Sequence, residues 1–184
     1  MVAPHMVSFV AGRSGVWHVD RIDAVSGESL PLADRLTVLK GAEPQSQDDA
    51  NWVLRGVTSN QRYTNRLELD SLVAVQADLD RPQATCAALI PIRKTAAWWD
   101  MAQDERRAIF EEHSHHIVIA LDYLPAVARR LHHSRELGES FDFLTWFEYA
   151  PEYAEAFEDM VRRLRGTPEW RFVDREVDIR LRRA

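Results

Sequence analysis

Hydrophobic and polar positions follow different patterns in the two parts of the chain. Up to residue 50 the apolar runs are short, and they are separated by connectors rich in Gly, Pro, Ser and Asp. Such runs predict an irregular, partly β region. Its predicted strands are residues 7–11, 16–24 and 36–39.

From residue 51 onward the pattern is more regular, with apolar residues at strand or helix spacing. Strands are predicted at residues 52–58, 85–93, 141–150 and 170–181. Helices are predicted at residues 65–77, from 97 to about 133, and from 151 to 165. Pro151 suits the first turn of the last helix. Pro125 is expected to break the long helical stretch near Tyr123, because its ring displaces the preceding turn.

This order of elements predicts an α+β protein. A strand–helix–strand unit followed by a second such unit is the split βαβ pattern of a ferredoxin-like fold, with the helices on one face of the sheet. We therefore predict a C-terminal ferredoxin-like half at residues 51–184 and a truncated N-terminal half at residues 6–50, both within one structural unit.

Charge and composition exclude several classes of function. The chain has 23 Lys and Arg against 29 Asp and Glu, a net charge of −6, so no overall positive field attracts nucleic acid or an anionic membrane. The single cysteine, Cys86, excludes an intrachain disulfide, a thiolate zinc site and an iron–sulfur cluster. The sequence has no apolar run of about 18 residues and no signal-like N-terminus. It is therefore predicted to be soluble and cytoplasmic.

Five of the seven histidines lie between residues 113 and 133, which indicates a metal or cofactor site. A solvated helix face is the alternative for any one of them. Zinc could be bound by His113 and His116, or by Glu112 and His116, because residues three or four apart share a helix face. The His-Glu-x-x-His order is nevertheless absent. A di-iron site would need two Glu-x-x-His motifs, and only Glu112-x-x-His115 is present.

Haem has simpler requirements, and the sequence meets each of them. It needs one axial imidazole, a large apolar slot, cations for its propionates and a carboxylate behind the imidazole. Six tryptophans, among them Trp98 and Trp99, and strand residues such as Phe147 could form the slot, although aromatic residues more often belong to a core. Lys94 and Arg93 could meet a propionate at the mouth of the pocket.

Several short segments are distinctive by their order and spacing. They are GESL at 27–30, LRGV at 54–57, ALIPIRK at 88–94, WW at 98–99, DERR at 104–107, SHH at 114–116, ARRL at 128–131, FDFLTWF at 141–147 and REVD at 175–178. Together they resemble the short-chain branch of the chlorite dismutase family, from about Gly15 to Arg182. The resemblance implies an α+β barrel of two ferredoxin-like halves around one haem b per subunit, and a homodimer.

The resemblance also implies roles for individual residues. The family places an axial histidine thirteen residues before a distal arginine, and His116 and Arg129 have this separation. His115 remains the alternative ligand. Glu169 resembles the family's glutamate that hydrogen-bonds the axial imidazole. Gln76 resembles the residue that hydrogen-bonds the distal arginine in short members.

The implied activity is the conversion of chlorite, a small anion, into chloride and dioxygen through a ferryl and hypochlorite pair. Arg129 would bind the anion through its fork of N–H groups and delay the escape of hypochlorite. Glu169 would raise the basicity of His116. Lys94 resembles the family's propionate-side lysine. The further haem-binding residues would be Trp98, Trp99 and Phe147.

Three other functions remain open. Coproheme decarboxylases are similar in fold and axial histidine, but they carry a catalytic tyrosine where this chain has Ile90, and they lack the distal arginine. Dye-type peroxidases typically have an aspartate beside the arginine, for which no local motif is present. A non-enzymatic haem-binding or haem-sensing module would use Arg129 only for a propionate.

Overall fold

Eight antiparallel strands close into a ring in the computed structural model, which describes residues 5–41, 50–58 and 65–183. The strands are β1 (Met6–Gly12), β2 (Trp17–Ser26), β3 (Arg35–Lys40), β4 (Ala50–Thr58), β5 (Cys86–Lys94), β6 (Ala128–His133), β7 (Phe143–Tyr149) and β8 (Val173–Arg183). Their order around the barrel is β1-β3-β2-β8-β5-β7-β6-β4. Each predicted strand is present, and β6 is an additional one.

The set β1 to β4 and the set β5 to β8 have the same arrangement. In each set the fourth strand lies beside the first, and the third and second follow. The two sets are joined where β2 pairs with β8 and where β4 pairs with β6. The predicted α+β class and the barrel are confirmed. The boundary predicted between residues 50 and 51 stays a prediction. It falls at the first residue of β4, a strand that pairs with β1 on one side and with β6 on the other.

The first set makes its crossover from β1 to β2 without a helix. Gly12 at the end of β1 and His18 near the start of β2 both lie opposite Arg35 of β3. The chain therefore passes over the end of β3 at Gly15, where φ is +147° and an added Cβ would clash with the Leu36 carbonyl oxygen. Only glycine tolerates this conformation and this approach.

The barrel interior is an apolar core, because alternate residues of each strand point inward. The Trp146 ring lies 5.6 Å from the Phe9 ring and 5.4 Å from the Trp17 ring. The core consists of Val7, Phe9, Ala11, Trp17, Val19, Leu36, Trp52, Leu54, Ala87, Leu89, Phe141, Leu144, Trp146, Val177, Ile179 and Leu181. Burial of each large apolar side chain stabilises the fold by roughly 1.5–3 kcal/mol.

The helices pack mainly against the outer face of β5 to β8. They are α1 (Arg66–Val75), α2 (Ala96–Asp100), α3 (Gln103–Arg107), α4 (His116–Leu121) and α5 (Ala154–Arg165), with a π-helical turn at Ala108–His113 and a 3-10 turn at Pro168–Phe172. A second apolar cluster joins this face to α4 and α5 through residues such as Ile90, Ile119 and Phe157. Because both faces of β5 are buried, its sequence is a continuous apolar run.

No helix within the described ranges is long and apolar enough to cross a membrane. The cytoplasmic location stays a prediction.

The helix predicted from residue 97 to about 133 is wrong in its last part. The helical segments are short and end at Leu121, and β6 follows Pro125. In β6, Arg129 and His132 point to opposite faces, and the backbone pairs with β7 along its length and with β4 at its end. These pairings outweigh the local helical preference of the segment, which propensity alone indicates only weakly.

Candidate active site

A large cavity lies between the outer face of β5 to β8 and the helices that cover it. It contains about 1150 Å³ of empty space, including its solvent-filled mouth. Its apolar lining residues are Leu72, Ile90, Ile92, Trp98, Phe110, Ile117, Leu131, Phe143, Phe147, Val161, Leu164 and Trp170. Its polar lining residues are Gln76, Lys94, His116, Arg129, Thr145, Glu169 and Glu176. An apolar cavity with a few polar groups is the usual form of a cofactor or substrate site.

His116 is directed into the cavity by a sharp change of direction between the π-helical turn and α4. His115 adopts the left-handed conformation with φ of 52°, and α4 begins at the next residue. The Glu111 carboxylate accepts a hydrogen bond from the Ile117 N–H at 2.7 Å, which satisfies a backbone donor at the start of α4. The position of His116 is thus fixed by backbone conformation and by a buried hydrogen bond.

His116, Glu169 and Lys94 form a hydrogen-bonded chain. Nδ1 of His116 lies 2.8 Å from Oε2 of Glu169, and Nζ of Lys94 donates to Oε1 at 2.6 Å. The Glu169 N–H donates to Ser114 Oγ at 2.9 Å. Burial raises the pKa of Glu169, but the charges of Lys94 and His116 and their hydrogen bonds lower it to about 2. When the imidazole is neutral and donates its Nδ1 proton to this carboxylate, the lone pair lies on Nε2 of His116.

Two aromatic rings lie nearly parallel to the His116 imidazole. The Phe110 ring centre is 4.4 Å away with an interplanar angle of 24°, and the Trp170 ring centre is 6.4 Å away with an angle of 19°. Phe110 belongs to the π-helical turn, a feature that is frequent at functional sites. Both rings restrict the plane in which the imidazole can lie.

Arg129 enters the cavity from β6. It lies opposite Phe147 of β7, so both side chains are on the outer face of the sheet. Within the part of the chain that the structure describes, its guanidinium has no hydrogen-bond or ion-pair partner. Burial lowers the pKa of Arg129, but arginine stays protonated in proteins. The cavity therefore contains an uncompensated cation suited to a small anion.

Seven of the eight predicted site residues line this cavity, and their roles stay predictions. They are Gln76, Lys94, Trp98, His116, Arg129, Phe147 and Glu169. Gln76 donates from Nε2 to the Arg129 carbonyl oxygen at 2.6 Å, so its hydrogen bond is to the backbone and not to the guanidinium.

Trp99 is not among the lining residues. Its ring stacks on Phe143 at 5.9 Å, its Nε1 donates to Asp142 at 3.2 Å, and the Arg135 guanidinium lies 3.8 Å from its ring centre. Adjacent residues of a helix point in different directions, so one tryptophan of the pair faces the cavity and the other does not.

Lys94 is not at the mouth of the cavity, where the sequence analysis placed it. Its side chain is buried, and its ammonium binds Glu169 and lies 4.4 Å from the Trp98 ring centre. A buried ammonium requires a counter-ion, and Glu169 supplies it. Arg93 is exposed and pairs with Asp174 at 2.9 Å.

The other clustered histidines do not complete a metal site. His113 and His115 are exposed, and His132 points into the barrel, with its ring 5.4 Å from that of Phe9. Among the residues whose positions are described, no three His, Cys, Asp or Glu side chains converge to hold a metal ion. This geometry argues against the zinc and di-iron alternatives for those residues.

Sequence reasoning missed Phe110, Trp170 and Glu176. Trp170 directly follows Glu169, and this adjacency was the available signal. Glu176 lies in the REVD segment, but its sequence does not indicate that it is buried at the cavity. Its burial depends on Arg165 of α5, whose Nε and Nη2 donate to Glu176 Oε1 at 2.8 and 2.6 Å. Phe110 reaches the cavity through a π-helical turn that the sequence pattern does not indicate.

The lining residues fit a haem. A haem needs one axial nitrogen, a hydrogen-bond acceptor behind it and an apolar cavity. His116 and Glu169 supply the first two through the bond at Nδ1, and the apolar lining supplies the third. Arg129 would find its missing partner in an anionic substrate.

Two sequence comparisons point to one family. The profile of the chlorite dismutase family matches residues 32–183. A chlorite dismutase from Ideonella dechloratans is 34% identical over 83 residues, which are 45% of this chain and 27% of that protein. This match therefore covers little more than a quarter of that relative.

Two solved structures have a similar fold. The crystal structure of a dimeric chlorite dismutase from Nitrobacter winogradskyi has a TM-score of 0.90 and 57% sequence identity, and the match covers 97% of this chain and 99% of that chain. A mutant chlorite dismutase from Candidatus Nitrospira defluvii in complex with cyanide has a TM-score of 0.69 at 20% identity, covering 98% and 91%. At this lower identity the likeness is one of fold alone.

Proposed function

The chain belongs to the chlorite dismutase family, a family of haem enzymes, and we propose that it is a haem b enzyme converting chlorite into chloride and dioxygen. The observation that carries the proposal is the guanidinium of Arg129, which has no partner within the described part of the chain and lies in the same apolar cavity as His116. The reaction ClO₂⁻ → Cl⁻ + O₂ balances in atoms and charge without a second substrate or a proton. One anion site beside one cofactor is therefore sufficient.

His116 is the proposed axial ligand, through Nε2. Bound haem would supply the redox chemistry, which consists of oxygen transfer from chlorite and formation of the O–O bond. The pKa of about 2 keeps Glu169 ionised at neutral pH. It therefore holds the Nδ1 proton and raises the basicity of Nε2. Lys94 keeps the carboxylate charged in its buried position.

Arg129 is the proposed anion-binding residue. Its fork of N–H donors binds an oxyanion through two oxygens, and burial away from water strengthens this attraction. It would hold chlorite on entry and retain hypochlorite until the second oxygen atom has left chlorine. Apolar residues of the wall, such as Phe147 and Leu131, exclude the water into which the anion would otherwise escape. Trp98 and Phe147 are the proposed contacts of the cofactor ring.

Ile90 argues against a decarboxylase function. It lines the cavity at the position where the resemblance places a catalytic tyrosine in coproheme decarboxylases, and its side chain has no hydroxyl to donate or accept a proton.

A homodimer is the proposed assembly. It is supported by the relative at 57% identity, which is a dimeric chlorite dismutase.

Oxygen evolution on addition of chlorite tests this proposal, using the haem-loaded chain beside Arg129→Ala and His116→Ala. Arg129→Ala should retain haem and lose oxygen evolution by about 100-fold or more, the usual cost of removing a donor to developing charge. His116→Ala should lose or weaken haem binding. Arg130→Ala is the matched control, because Arg130 is the next residue of β6 and does not line the cavity.

Haem binding without oxygen evolution would contradict the proposal. Oxidation of a dye by peroxide in the same preparation would then favour a peroxidase, and the absence of both reactions would favour a haem-sensing module.

A further inference from the structure

Trp170 lies beside both partners of Glu169. It is the next residue on the 3-10 turn Pro168–Phe172. Its ring is nearly parallel to the His116 ring, at an angle of 19°, and its centre is 5.6 Å from Nζ of Lys94. A movement of this indole would therefore disturb the imidazole, the ammonium and the turn that carries the carboxylate.

The indole is itself held by a second buried carboxylate. Its Nε1 donates to Glu176 Oε2 at 2.7 Å, and Glu176 has no exposed surface. Arg165 of α5 donates twice to the other oxygen of Glu176 and also to Asp178 at 2.8 Å. We call Trp170, Glu176 and Arg165 the indole brace.

Stability alone does not explain the indole brace. Burying a carboxylate and a guanidinium costs several kcal/mol of desolvation for each ion, and an apolar replacement is often as stable. What such a buried pair provides is a defined geometry. In this protein the geometry fixes the direction of one indole N–H and thus the plane of the ring beside His116.

The Glu169 bond fixes only one atom of the imidazole. A hydrogen bond at Nδ1 holds that nitrogen at a defined distance from Oε2 but leaves the ring free to tilt about it. The rings on its faces must fix the tilt. Trp170 is held in a defined orientation for this purpose, because its Nε1 is anchored to Glu176.

We propose that Trp170 is a positioning residue for His116, and that the indole brace sets the tilt of the imidazole and the strength of its bond to Glu169. This inference rests on the proposed function in one respect, which is that His116 binds the haem iron. A weaker bond at Nδ1 makes the imidazole a weaker donor at Nε2.

The test is Trp170→Phe in the haem-loaded chain, because phenylalanine keeps a flat ring and removes the N–H. The iron–histidine stretching frequency of the reduced protein should fall, and the midpoint potential of the iron should become more positive. Glu176→Gln keeps an acceptor oxygen for the indole N–H, so its shifts should have the same direction and be smaller. Resonance Raman spectroscopy and a redox titration measure both quantities.

Trp146→Phe is the matched control. Trp146 also donates from its Nε1 to a buried glutamate, Glu148, at 2.9 Å, but it lies in the barrel core. This variant should lower the melting temperature and leave the stretching frequency and the potential unchanged.

Wild-type frequency and potential in Trp170→Phe and Glu176→Gln would overturn the inference, even if both variants melt earlier. The proposed function fails separately. It is contradicted by haem binding without oxygen evolution, whatever the indole brace does. If the iron–histidine band persists in His116→Ala, His116 is not the ligand, and its proposed role and this inference both fall. If the band is lost there but is insensitive to the indole brace, only the inference falls.

Discussion

The sheet of β5 to β8 has an inner face in the barrel and an outer face under the helices, and similar side chains occur on both. On the inner face the Trp146 indole donates to Glu148. On the outer face the Trp170 indole donates to Glu176. The inner pair lies within a filled core, whereas the outer pair lies at a cavity that also contains His116.

Strand β6 shows the same contrast in its basic residues. Burial, and then the charges of Arg130 and His133, lower the pKa of the inward-facing His132 to about 4, so this side chain is neutral at pH 7. The outward-facing Arg129 keeps its charge and has no counter-ion among the residues that the structure describes. The comparison teaches that one sheet separates two tasks. The inner face supplies stability, and the outer face places the charge of Arg129 in the cavity, at the proposed anion site.

Trp146→Ala should produce the largest effect and should affect the inner face alone. Loss of a buried tryptophan costs about 3–5 kcal/mol of unfolding free energy, because a cavity remains. Oxygen evolution per bound haem should be unchanged, since Trp146 does not line the site. Urea unfolding and an oxygen electrode measure the two quantities. A parallel loss of activity per haem would mean that the two faces are not separable.

Lys94→Met should affect both stability and activity. Removing one partner of a buried ion pair costs about 3 kcal/mol or more, and without the ammonium the pKa of Glu169 rises. Oxygen evolution should then fall at a higher pH on acidification than in the wild type, because protonated Glu169 no longer accepts the His116 proton. Lys40→Met is the control, as Lys40 pairs with Asp80 on the surface at 3.0 Å. An unchanged pH profile in Lys94→Met would count against the proposed role of the hydrogen-bonded chain of His116, Glu169 and Lys94.

Acid pH should distinguish the two faces by the range in which stability is lost. The pKa of His132 is about 4 in the fold against an ordinary 6.5, so the unfolded chain binds more protons between these values. Stability should therefore fall as the pH drops from about 6.5 to about 4, by up to about 3 kcal/mol. The pKa of Glu169 is about 2 in the fold against an ordinary 4.5. Its contribution to the free energy of unfolding is therefore lost as the pH falls from about 4.5 to about 2.

Denaturant unfolding at pH 7 and at pH 4.5 measures the contribution of His132. His132→Gln should flatten the pH dependence in this window, whereas Glu169→Gln should leave it in place. Equal slopes in the wild type and His132→Gln would refute the assignment.

Trp99→Phe should produce the smallest effect. Because Trp99 lies outside the cavity lining, its haem affinity should stay within about twofold of the wild type, the range of substitutions away from a site. Trp98→Phe is the comparison, since Trp98 is fully buried in the lining. Haem titration measures both. A larger loss of affinity in Trp99→Phe would support the original prediction that both tryptophans bind the cofactor.

Local patterns predicted the elements whose sequence shows a clear apolar run or a strong turn signal. The apolar run of β5 and the helix after Pro151 are examples. The fold also brings His116, Glu169 and Arg129 to one cavity, as the resemblance implies. The thirteen-residue separation of His116 and Arg129 is a feature of the family. Such a feature reflects the geometry of the fold, which local propensity alone does not indicate.

The rest of the site depended on contacts between distant segments. β6 is a strand because β7 and β4 offer it hydrogen bonds, and no local pattern encodes those partners. Lys94 is buried because Glu169, 75 residues further along the chain, neutralises it. Glu176 faces the cavity because Arg165 compensates its charge. In each case a pairing between distant residues determines where a polar side chain can lie.

The hydrogen bond from Gln76 also has a consequence for aggregation. Among the described residues, β4 pairs with β6 at His132 and His133, and the earlier stretch of β6 has no described strand on that side. There the Arg129 carbonyl oxygen accepts hydrogen bonds from Gln76 and, at 2.8 Å, from Arg130 Nη1. Open strand edges recruit strands from other molecules. The amide at the end of α1 therefore occupies a backbone acceptor that intermolecular β-pairing at this edge would need.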